Sequence, residues 1–207
     1  MRRRFTFVIF CIVALGPTFA AQTASPVGVK KTVEKAFASG GDVQLRLSAD
    51  DYKVVPTNDD RIIVSWDASK DLNGRVRATI HTSGSQATVQ TNFPRDFRKR
   101  PALTIQIPSR SNVKVRLSAG DLTVGPVEGN LDVEVHVGDL RLEIHDPERF
   151  ASVDASTTVG ELKPGPFKQN PKGWLGGALK CQGSDAYKLH AHVGTGDLII
   201  AAAKATI

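Results

Sequence analysis

Apolar and polar residues alternate most regularly over residues 113–144, VKVRLSAGDLTVGPVEGNLDVEVHVGDLRLEI, and the alternation runs twice around Gly-Asp-Leu. Val113, Val115 and Leu117 lead into Gly120-Asp121-Leu122, and Val124 continues the pattern. Leu131, Val133 and Val135 lead into Gly138-Asp139-Leu140, followed by Leu142 and Ile144. Alternation puts every second side chain on one face, so these runs predict half-buried strands. Each glycine marks a point where the backbone bends or takes positive φ.

The same grammar runs through most of the chain. VQLRLSADDYKVVP (43–56) matches VKVRLSAGDLTVGP (113–126): Val43, Arg46, Leu47, Ser48, Ala49, Asp51, Val54 and Pro56 all recur 70 positions later. Asp50 stands where the second copy has glycine, a departure that would distort or cap the first rung. Further strands are predicted around Ile62–Trp66, over 75–80 and 87–91, and at Leu103, Ile105 and Ile107, where Pro108 closes the run. Turn glycines Gly120, Gly138 and Gly160 are spaced by 18 and 22 residues, and Gly196-Asp197-Leu198 follows 36 after Gly160. Gly177-Ala178-Leu179 reads as a weak intermediate copy, inside an excursion over 164–184 rich in Gly, Pro, Lys and Gln. Leu189, Ala191, Val193, Leu198 and Ile200 form the last strands. A period of this length suits one rung of a solenoid. The predicted fold is therefore all-β: a parallel β-solenoid-like stack of short strands with Gly-Asp turns, each turn stacked on the one before.

Composition agrees with this and adds a compartment. Aromatics are 6% and there is one methionine, so the core must come from Val, Ile, Leu and Ala. Arg2, Arg3 and Arg4, the apolar run 5–15 and the small residues Thr18 and Ala20 form a signal peptide over residues 1–20, cleaved after Ala20. Residues 21–41 read as a linker, with a helical pattern of about two turns at 29–38, and the β-repeat domain occupies 42–207. Removing the signal lowers the formal charge from +6 to +3 (24 basic minus 21 acidic residues), so the basicity is largely the export segment. A nucleic-acid partner is not indicated. The exported part keeps only Cys181, which rules out an internal disulfide and reads as a small apolar core residue.

Three groups of residues carry candidate chemistry. Asp51, Asp121, Asp139, Glu161 and Asp197 occupy equivalent turns and could stack into a calcium-binding ladder. The denser G-G-x-G-x-D repeat of calcium-binding rolls is missing, so capping of backbone amides at each bend is expected instead. His190 and His192 point the same way on a strand, and His136 matches His192 in the repeat, which sketches a zinc or copper site. Exposed strand positions account for all three. Ser48 and Ser118 sit in repeated turns, and Cys181 has no histidine motif beside it. The segment NFPRDFRKRP (92–101) is read as a solvated basic loop, or as a contact for anionic polymer or lipid headgroups. No catalytic, cofactor-binding or metal residue is assigned, and no cofactor is expected.

VQLRLSADDYKVV…IIVSW, the strand LTIQIPS (103–109), the V-x-V-x-x-x-x-G-D-L-x-V rungs and the closing HVGTGDLII (192–200) together resemble the DUF4097-type "putative adhesin" domains of bacteria, related to the toastrack and head-GIN group. The resemblance covers roughly residues 42–201. It implies an all-β, solenoid-like domain outside the cytoplasm, with no catalytic motif to transfer. The expected function is an exported, non-enzymatic binding or scaffolding module of the cell envelope, periplasmic or on the cell surface. Its partner would be an envelope component, a polysaccharide or a protein, with peripheral membrane contact as a further option. The alternatives are an envelope-stress sensor acting through a membrane partner, or a carbohydrate-active enzyme on a β-helix scaffold. A carboxylate pair in a groove would favour the enzyme.

Overall fold

The computed structural model describes residues 29–70, 74–93, 101–173, 175–183 and 185–203. The signal peptide expected at 1–20 and most of the basic segment at 92–101 lie outside them. Among the described residues, sixteen strands form two eight-stranded sheets. Sheet I contains β1 (Lys30–Ala36), β3 (Tyr52–Thr57), β4 (Arg61–Asp67), β7 (Leu103–Pro108), β9 (Leu122–Val124), β11 (Leu140–Ile144), β13 (Leu162–Lys163) and β16 (Leu198–Ala202). Sheet II contains β2 (Asp42–Leu47), β5 (Arg77–Ser83), β6 (Gln86–Asn92), β8 (Asn112–Ala119), β10 (Leu131–Val137), β12 (Phe150–Val159), β14 (Ala178–Gln182) and β15 (Tyr187–Thr195).

The alternation explains the sandwich. In β8, Val113, Val115 and Leu117 point inward and are at most 2% exposed, and their register partners Leu131, Val133 and Val135 in β10 are also buried, at most 4% exposed. Sheet I answers with Leu122, Val124, Leu140, Leu142, Leu198 and Ile200, all buried. Each such side chain contributes about 1.5–3 kcal/mol by leaving water. Repeating them in register from strand to strand makes one continuous, mainly aliphatic core, joined by Phe37, Tyr52, Trp66, Phe93 and Phe150.

Each rung joins a strand of sheet II to a strand of sheet I, through a short corner in β2/β3, β8/β9, β10/β11, β12/β13 and β15/β16. Six rungs run parallel in the order β6/β7, β2/β3, β8/β9, β10/β11, β15/β16, β12/β13. This corrects the expectation that each turn stacks on the one before. The first rung in sequence lies between the second and third, and the last lies between the fourth and fifth. The reason is a pair of reversals. β5 turns back antiparallel onto β6, and β14 folds back antiparallel onto β12, so the chain returns inside an existing edge. Gly177-Ala178-Leu179 is accordingly the start of an antiparallel edge strand and not a rung.

The described residues before Asp42, 29–41, are also structured. Residues 30–36, expected as linker with helical turns, form a strand paired antiparallel with β4. Phe37 after it is buried in the core. Pairing to an existing edge outweighs a weak local helical preference.

Candidate functional site

The corners are built first by glycine. Gly120, Gly138, Gly160 and Gly196 take φ of +115°, +126°, +136° and +134°, where residues with a Cβ are strained. A Cβ on Gly138 would also lie 2.1 Å from the Gly120 carbonyl oxygen of the next rung. Asp50 stands at the end of this column and takes no positive φ. Its Oδ1 accepts the Asp51 N–H at 2.8 Å, so the substitution closes the corner locally instead of distorting the stack.

The neighbouring carboxylates do form a ladder. Asp51 Oδ1 accepts the N–H of Asp121 (3.1 Å), Asp121 Oδ1 that of Asp139 (3.1 Å), Asp139 Oδ1 that of Asp197 (2.8 Å) and Asp197 Oδ1 that of Glu161 (2.8 Å). The expected partner was the amide at each residue's own bend. The observed partner is the amide of the adjacent rung, so each side chain ties two rungs together. Glu161, at the last corner, turns its carboxylate to Lys163 at 3.1 Å. One oxygen of each Asp is thus committed to a neutral amide, and the ladder is a structural seam.

Chemistry that could meet a partner is concentrated on the outer face of sheet II. Lys114 and Arg116 of β8 lie opposite Asp132 and Glu134 of β10. Arg116 grips Asp132 with two hydrogen bonds of 3.0 Å and also reaches Glu134 at 3.0 Å, while Lys114 is 3.2 Å from Asp132. Partial burial works to raise the Asp132 carboxyl, but hydrogen bonds and charge from Arg116 and Lys114 outweigh it and hold it below the ordinary carboxylate range. Sequence reasoning missed this knot. The signal was present, because Lys114/Asp132 and Arg116/Glu134 share the 18-residue spacing of Gly120 and Gly138.

Two troughs open on this face. One, of about 860 Å³, is lined by Arg46, Arg77, Lys114, Arg116 and His136 with the amides of Gln90 and Asn92, and among the described residues no carboxylate lines it. The other, of about 670 Å³, is mixed in charge, with Asp42, Asp132 and Asp154 facing Lys114, Lys188 and His190.

The three histidines are not gathered into a metal site. His192 is held by Ser156 Oγ at 3.0 Å on Nδ1 and faces Thr158 Oγ1 at 3.5 Å on Nε2, while His136 lines the basic trough. Among the described residues, the set of three potential ligands with donor atoms within 4.8 Å of one another is Asp132, Glu134 and His190. Its two carboxylates are already taken by Arg116 and Lys114, which a cation would have to displace. Cys181 lies on β14, half-buried against the core, and burial pushes its thiol pKa up, away from the reactive thiolate.

The described residues define an all-β, two-sheet stack of parallel rungs whose outer face carries polar troughs. A crystal structure of a "putative cell adhesion protein" from Clostridium sporogenes is similar at 12% identity and TM-score 0.53, over 84% of this chain and 100% of that one. A "putative adhesin" from Parabacteroides merdae is 12% identical (TM-score 0.30; 85% and 75% covered), and one from Bacteroides fragilis 11% identical (TM-score 0.28; 84% and 98% covered). The first is a likeness of fold; the other two are too distant to define even that. No protein-family model and no curated protein matches the chain.

Proposed function

We propose that this protein is an exported, non-enzymatic, adhesin-like binding module of the cell envelope, engaging an extended partner through the outer face of sheet II. The observation that carries the reading is the pair of adjoining troughs, floored by in-register polar side chains from several rungs. Such a surface offers many modest contacts along a polymer or protein strand, in place of one enclosed pocket. The sequence of residues 1–20 supports export, and the Clostridium sporogenes protein of the same fold is described as a putative cell adhesion protein.

The enzyme reading has one observation in its favour, the close pair Asp132 and Glu134 beside a trough. A general acid needs its carboxyl raised toward neutral pH. Asp132 is shifted the other way, and both carboxylates are bridged by Arg116.

The test is retention of the purified chain on isolated envelopes. Arg46→Gln/Arg116→Gln on sheet II should release it, whereas Lys53→Gln/Arg141→Gln on sheet I should not. Loss confined to the sheet I variant would overturn the assignment of the face, and release of reducing sugar from envelope glycans by the wild type would reinstate the enzyme.

A further inference from the structure

We infer that the trough lined by Arg46, Arg77, Lys114 and Arg116 is a binding site for an acidic polysaccharide, a chain of sugar units bearing carboxylates. The inference rests on the binding-module reading and names its ligand class. Among the described residues, four cationic side chains line this trough and no carboxylate does. Lys114 and Arg116 are largely satisfied inside the protein by Asp132 and Glu134. Arg46 and Arg77 are different. Both are exposed, and among the described residues neither has a carboxylate at ion-pair distance; Arg46 has only the Gln44 side chain, at 3.5 Å.

Their placement suits a chain more than a single ion. Arg46 is in register with Gln90 and Thr79, and Arg77 is paired with Asn92, two residues further along the strands. The two guanidinium-bearing positions are therefore about 10 Å apart across two strand spacings and about 7 Å apart along them. A linear polymer crossing the trough would meet both, with the amides of Gln90 and Asn92 between them to pair with sugar hydroxyls. Arg offers the two oxygens of a carboxylate a two-point, charge-assisted grip that a neutral group cannot match.

Composition selects among ligands. Among the described residues no aromatic side chain, the usual platform for a neutral sugar ring, lines the trough, so charge carries the affinity. A lipid surface would call for exposed apolar groups around the cations, but the exposed large apolar residues, Val29, Val137, Val159 and Leu175, do not line it.

The experiment uses polygalacturonate, neutral dextran, phosphatidylglycerol vesicles and poly-glutamate as probes. Binding of the full chain is measured by titration calorimetry at low and at physiological salt. The wild type should bind polygalacturonate, fail to bind dextran, and weaken as salt screens the charges. Arg46→Gln/Arg77→Gln should lose about tenfold or more in affinity with an unchanged melting temperature, and Lys53→Gln on sheet I should bind as the wild type does. Absence of polygalacturonate binding, equal binding by the double variant, or equal affinity for dextran would each overturn the proposal. Tighter, Arg46/Arg77-dependent binding to vesicles or to poly-glutamate would overturn it in favour of a lipid or an acidic protein. If envelope retention through sheet II persists while polygalacturonate fails, only the ligand class falls; if both fail, the binding-module reading falls with it.

Discussion

Asp139 Oδ1 accepts the backbone N–H of Asp197 at 2.8 Å, although 58 residues separate them in the chain. The bond exists because the last rung of the sequence is inserted against β10/β11 and not at the end of the stack. It is one link in a seam of carboxylate-to-amide bonds running through five corners.

Removing that link should loosen the seam without abolishing the fold. Asp139→Ala deletes the acceptor and leaves an amide that solvent can partly satisfy, so a loss of about 0.5–1.5 kcal/mol is expected. Asp139→Asn keeps an oxygen in place and should stay within about 0.5 kcal/mol of the wild type. Urea unfolding of both variants decides the matter. Equal losses would mean that the negative charge, and not the acceptor, is what the corner needs.

The glycine column makes a harsher prediction. In Gly138→Val the new Cβ meets the Gly120 carbonyl at 2.1 Å, and the residue sits at φ +126°. Backbone strain and displacement of a rung should together cost about 3 kcal/mol or more. Lys180→Ala, on the exposed edge strand β14, should change stability by about 0.5 kcal/mol or less, because its contact with Asp154 is a surface pair. Comparable denaturation midpoints for the two would show that the corner register is wrong.

Much of this architecture could be read directly from residues such as Val113, Val115, Gly120 and Asp121, because alternation and glycine report local geometry. The stacking order could not. The repeats are alike enough that Leu131 would pair as well with one neighbour as another, and only the reversals at β5 and β14 decide. β1 was hidden for a related reason. Its side chains are almost all exposed, so no apolar alternation marks Lys30–Ala36, and its pairing to β4 is a property of the edge it finds. The candidate site was visible only as unremarkable charges. Arg46, Arg77 and Arg116 become a surface once parallel pairing sets them side by side.

Acid should expose the contribution of the Arg116 knot. The Asp132 carboxyl is held below its ordinary value in the fold, so its pairing contributes stability that is fully present above the unfolded value, about pH 3.9. That contribution is lost as pH falls through the lower folded value. Asp132→Asn should therefore melt below the wild type at pH 7, and the gap should close progressively below about pH 4. A gap that persists unchanged into acid would assign the effect to packing and not to charge.

The last prediction concerns calcium. Stacked carboxylates at successive rungs lie about 4.8 Å apart, close enough to repel, and a divalent cation bound between them would relieve that repulsion. Here Asp51, Asp121, Asp139 and Asp197 each spend one oxygen on the N–H of the adjacent corner, and Glu161 is drawn to Lys163. Those bonds orient the carboxylates along the stack and leave single outward oxygens, short of the six or more oxygen ligands that calcium gathers. Melts in excess EDTA, in calcium and in zinc are therefore expected to overlay. A rise of more than about 5 °C with calcium, on the order of 1 kcal/mol or more for a domain of this size, would convert the seam into a cation site. Repeating the melt with Asp121→Asn/Asp139→Asn would locate that site, because a cation held by the ladder would lose its effect in the variant, whereas one held by Asp132, Glu134 and His190 would not.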